Sequence, residues 1–68
     1  MASATRRVAV KVVELRQRRG FSQEALAKKT GLNRVTLARL ERAMHPPNLD
    51  TLEKVARALR VKLADLVR

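Results

Sequence analysis

The sequence has no cysteine, tryptophan or tyrosine, and only one phenylalanine, two glycines and two prolines in 68 residues. Without cysteine, disulfides, thiolate nucleophiles and cysteine-based zinc sites are excluded. A single aromatic ring offers no platform for stacked, unpaired bases, which argues against single-stranded RNA as the partner. One histidine, His45, and six carboxylates without a paired set supply no acid–base or metal constellation, so no enzyme, cofactor or metal site is expected. No apolar run approaches the roughly 20 residues needed to cross a bilayer, and the N-terminus lacks a signal peptide's apolar core, so a cytoplasmic protein without membrane association is expected. A chain this short buries a modest fraction of its surface, which leaves little room for an enclosed small-molecule site or a second domain.

Acidic side chains are also scarce. Six Asp and Glu stand against sixteen Lys and Arg, a net charge of +10. Such an excess draws the chain to polyanions. Eleven of the basic residues and three of the acidic ones fall within residues 1–42, so the polyanion-binding face is expected mainly from that segment.

What the chain has in quantity is helical periodicity. Met1 to Thr5 reads as a flexible segment and residues 6–68 as one domain. From about Arg6 to Arg19, Val8, Val12 and Leu15 form a stripe that Ala9 and Val13 broaden, and Gly20 closes the helix. Phe21 reads as a core plug between helices. Ser22 caps a second helix with Glu24 in its first turn; Thr30-Gly31-Leu32 is a tight turn; Asn33 caps a third helix that buries Leu37 and Leu40. His45-Pro46-Pro47 interrupts the pattern, Asn48 caps a fourth helix containing Leu49, Leu52, Val55, Ala56 and Leu59, and a short fifth spans about Leu63 to Val67. With no strand pattern, the fold class is all-α, a compact five-helix domain.

Helices 2 and 3, about Gln23–Lys29 and Arg34–Arg42, fit a helix-turn-helix, in which the second helix enters the DNA major groove. Arg34 and Arg39 have the bidentate fork that matches guanine, Val35 can meet a thymine methyl, and Thr36 suits a base or a phosphate. Ala38 permits close approach. Phosphate contacts fall to Gln23, near a helix N-terminus, and to Arg18, Arg19, Lys28 and Arg42; Lys29 and the Arg6-Arg7 pair are further candidates. Charge alone leaves Arg16 among these polyanion contacts.

The segment LRQRRGFSQEALAKKTGLNRVTLARLERAMHPPNLDTLEKVARALRVKLADL, Leu15 to Leu66, resembles the Cro/C1-type helix-turn-helix domain of phage repressors and of the xenobiotic-response-element family of small bacterial regulators. The likeness rests on Arg16, Ser22-Gln23, Leu26-Ala27, Gly31-Leu32, Leu37, Leu40-Glu41, Leu52, Ala56, Leu59 and Leu66. It implies a lambda-repressor-like fold, an ion pair between Arg16 and Glu41 that removes Arg16 from the DNA-facing set, a phosphate contact by Gln23, and base reading by Arg34, Val35, Arg39 and often Thr36. Ala43 and Arg60 stand where such domains have glycine, so each turn either avoids positive φ or carries roughly 1–2 kcal/mol of strain. Lys62 replaces a common serine cap.

One recognition helix reads few base pairs, so a homodimer on a pseudo-palindromic double-stranded DNA site is expected. Similar free-standing domains, restriction-modification controllers among them, dimerise through the C-terminal part, represented here by Val61, Leu63, Leu66 and Val67. RNA polymerase or a toxin are the possible protein partners, and an antitoxin-like module that neutralises a partner and represses its own operon is the alternative to a dedicated transcriptional regulator.

Overall fold

The computed structural model describes residues 3–68. Five α-helices follow one another: α1 Ala4–Arg18, α2 Gln23–Thr30, α3 Arg34–Glu41, α4 Leu49–Leu59 and α5 Leu63–Val67. Four begin at a short polar side chain that accepts a free amide of the first turn. Ser3 Oγ accepts from Arg6 N at 3.2 Å, Ser22 Oγ from Ala25 N at 3.0 Å, Asn33 Oδ1 from Val35 N at 2.7 Å and Asn48 Oδ1 from Thr51 N at 2.8 Å. Each such cap contributes on the order of 1 kcal/mol. The first moves the start of α1 ahead of Arg6: Ala4 and Thr5, expected in a flexible segment, are helical because Ser3 satisfies the helix end. Met1 and Ala2, the remainder of that segment, lie outside the described residues. Lys62, at the start of α5, has no acceptor to offer; there Asp65 Oδ2 instead accepts the backbone amide of Lys62 at 3.0 Å.

The ends of α1 to α4 share one device. The carbonyls of Arg16, Ala27, Arg39 and Ala56 accept from Phe21, Leu32, Met44 and Val61 respectively, each across a left-handed residue. This paired Schellman closure favours glycine at the left-handed position. Gly20 and Gly31 meet that demand at φ +75° and +76°, but Ala43 and Arg60 adopt φ 57° and 59° with a Cβ in place. The turns therefore keep positive φ and carry the strain that the sequence left open.

Val8, Val12, Leu26, Ala27, Leu37, Leu40, Leu52, Val55, Ala56, Ala58, Leu59 and Leu66 form one core, with Leu15, Phe21, Leu32, Val61 and Leu63 packed at its edge. Phe21, Leu32 and Val61 are the residues just past three of the Schellman turns, so each turn folds an apolar side chain back onto the core. Met44, past the fourth, is exposed. Helix α4 packs against α1, α2 and α5, while α3 is held by α1 and α2. This leaves the Arg34–Arg39 side of α3 uncovered. Among the described residues no helix is long and apolar enough to cross a membrane.

Candidate nucleic-acid interface

Helix α3 is anchored by alternating commitments along eight residues. Leu37 and Leu40 are buried, whereas Arg34, Val35, Thr36 and Arg39 are exposed. The three-residue turn from Gly31 to Asn33 sets α3 against α2, and the Asn33 cap fixes where the helix begins. Arg34, Val35, Ala38, Arg39 and Arg42 border an open depression that Gln23 and Met44 complete. Arg39 also borders a second one, formed with Thr36, Leu40 and the His45–Thr51 side, so it stands on the ridge between them.

Behind this face lies a polar knot. Arg16 Nε donates to Glu41 Oε2 at 2.7 Å and Nη2 to Oε1 at 3.2 Å, while Nη1 donates to the carbonyl of Phe21 at 2.8 Å. The two side chains are 13% and 5% exposed. Arg16 thus ties the end of α1 to the end of α3 and to the intervening loop, and is spent on structure instead of on a polyanion. Gln23 Nε2 donates to Glu41 Oε1 at 2.9 Å. The glutamine amide expected to meet a phosphate thus gives one of its two N–H groups to the knot.

The other sequence-derived candidates divide. Arg42 and Gln23 join the α3 depression, but Arg18 and Lys28 border neither depression beside α3, and Arg19 borders a different one with Phe21, Lys29 and Arg60. Charge counting could not separate these faces. Met44 was missed as a neighbour of the recognition face; its position after Ala43, where a Schellman turn normally buries an apolar residue, concealed its exposure. At the C-terminus, Leu66 is only 1% exposed and belongs to the core of its own chain, which removes it from the interface candidates. Val61 and Leu63 are half-buried at the core edge, and Val67 is exposed.

Two short helices across a tight turn, with the second presenting an uncovered basic and apolar face, define a helix-turn-helix DNA-binding domain of the lambda-repressor type. The chain belongs to the HTH_3 helix-turn-helix family, also known as the XRE or Cro/C1 type, which it matches over residues 12–66. It is 38% identical over 56 residues to an uncharacterized HTH-type transcriptional regulator of Archaeoglobus fulgidus, covering 82% of this chain and 80% of that one. It is also 38% identical over 60 residues to the immunity repressor protein of Bacillus phage phi105, covering 88% of this chain and 42% of the repressor. Among solved structures, the restriction-modification controller protein C.AhdI from Aeromonas hydrophila superposes with a TM-score of 0.87 at 32% identity, over 91% of this chain and 94% of that one. The hypothetical transcription factor NHTF from Neisseria gives 0.93 at 32% identity, over 97% and 76%. The family is one of DNA-binding transcriptional regulators and not of enzymes.

Proposed function

We propose that the chain is a sequence-specific transcriptional regulator that binds a pseudo-palindromic operator as a homodimer, with α3 in the major groove. The observation that carries this reading is the uncovered face of α3, where Arg34, Val35, Thr36 and Arg39 project while Leu37 and Leu40 hold the helix rigidly to the core. Arg34 and Arg39 read guanine through paired donors, and Val35 packs on a thymine methyl. The start of α2 and Arg42 fix the register through phosphates, with Arg18 and Lys28 as outlying contacts. The likeness to a restriction-modification controller protein supports a regulator that acts through occupancy, by excluding RNA polymerase or by touching it beside a promoter. The exposed Val67, one helical turn after half-buried Leu63 on α5, supports dimerisation there, with Val61 just before that helix in sequence.

Selection from randomised duplexes with the purified protein tests the proposal. Two half-sites related by a two-fold axis, about 34 Å or one helical turn apart, are expected. Recovery of sequences with no common element would overturn it.

A further inference from the structure

A second concentration of positive charge lies away from α3. Arg19, Phe21, Lys29 and Arg60 border an open depression of about 320 Å³ against α4, and Lys29, Lys54 and Arg57 border an adjoining one of about 430 Å³. The two share Lys29 and Ala58, so they form one continuous basin. It draws Arg19 and Lys29 from the first half of the chain to Lys54, Arg57 and Arg60 from the second, a gathering that the charge distribution along the sequence does not reveal. All five cations are exposed, no carboxylate borders either depression, and among the described residues the only ion pair is the one between Arg16 and Glu41. Glu53, next to Lys54 in sequence, borders neither of them but lines a neighbouring depression together with Arg57, which stands at the basin's edge and forms no ion pair with it. None of the basin's residues borders the two depressions beside α3. Gln23 and Lys29 mark the separation: six residues apart on α2, they differ by about 120° around the helix and about 9 Å along it.

We infer that this basin is a second nucleic-acid-binding surface, holding the phosphodiester backbone of another duplex segment while α3 occupies the first. Cations spread along a basin match a line of phosphates better than a single small anion. An acidic protein segment would need an apolar receptacle for its anchoring side chains. The basin offers no deep one: Ala58 and Leu59 are buried, and the half-buried ring of Phe21 has the Lys29 ammonium 5.4 Å from its centroid. A backbone contact needs only the charges. The consequence is a regulator that bridges two DNA segments, or holds one that bends back across it.

The test immobilises a biotinylated duplex carrying the selected site, saturates it with protein, and measures retention of a second, fluorescent duplex without that site. The intact protein retains the second duplex. The Lys54→Gln, Arg57→Gln double variant binds the first duplex as before, which also reports that it is folded, but loses most of the second, with a dependence on log salt shallower by about 2. No retention by the intact protein, or equal retention by the variant, overturns the inference. So does polyglutamate that displaces the second duplex more effectively than a competitor duplex of equal charge, since the basin then belongs to an acidic protein.

Discussion

Arg16 and Glu41, 25 positions apart in sequence, meet through two hydrogen bonds of 2.7 and 3.2 Å, in a site where neither side chain is more than 13% exposed. The same carboxylate holds Gln23 at 2.9 Å, so α1, α2 and the end of α3 converge on one acid. The orientation of the recognition helix relative to the rest of the domain is set here, as much as by the Leu37 and Leu40 contacts. Removing one partner of a largely buried pair leaves the other charge uncompensated, so Arg16→Ala and Glu41→Ala should each cost about 3–5 kcal/mol. Urea unfolding should show both single losses, and the double variant should lose less than their sum.

Ala43 and Arg60 invite the opposite kind of substitution. Both hold φ near +60° at a helix end that the same chain closes with glycine elsewhere. Relief of left-handed strain, roughly 1–2 kcal/mol, is partly offset by the about 0.4–1 kcal/mol that glycine adds to unfolded-chain entropy. Ala43→Gly and Arg60→Gly should therefore each stabilise the domain by about 0.5–1 kcal/mol, read as a rise of a few degrees in thermal midpoint.

Much of this fold was legible because local chemistry and global packing agree. Ser22, Asn33 and Asn48 mark helix starts by the same hydrogen bond they make in the folded chain, and Gly20 and Gly31 mark ends through the φ they adopt. Long-range relations were a different matter. Nothing in the spacing of Arg16 and Glu41 joins them; only the resemblance to related domains did. The engagement of Gln23 with Glu41 had no local signal. The five residues of α5 are too few for periodicity to tell buried Leu66 from exposed Val67, and a count of charges could not tell that Arg19 stands with Lys29 and Arg60 instead of beside α3.

On the α3 face, Arg39 and Arg42 should separate by what they read. Arg39 stands between the two depressions that flank the helix, whereas Arg42 caps its C-terminal end. Arg39→Ala should relax preference at one base position by about 1–3 kcal/mol with helical content unchanged. Arg42→Ala should weaken specific and random duplexes alike and reduce the salt slope by about 1. Fluorescence anisotropy on matched and mismatched duplexes across a salt series checks both, and a uniform loss from Arg39→Ala would make it a phosphate contact.

At the C-terminus two neighbouring residues should fail differently. Leu66 fills the core at 1% exposure, so Leu66→Ala should cost about 2–5 kcal/mol through lost burial and the cavity left behind. Val67 is 44% exposed, far more than Leu66, so Val67→Asp should lower the unfolding midpoint of the monomer much less than Leu66→Ala does. If the chain end is the dimer contact, a carboxylate there faces its own symmetry mate, and both desolvation and like-charge repulsion oppose association. Sedimentation equilibrium should then show the Val67→Asp protein shifted towards monomer, with weaker binding to a two-half-site duplex but unaltered binding to a single half-site. An unchanged dimer would move the interface away from α5, to a surface whose contacts the exposed Val10 of α1 could supply.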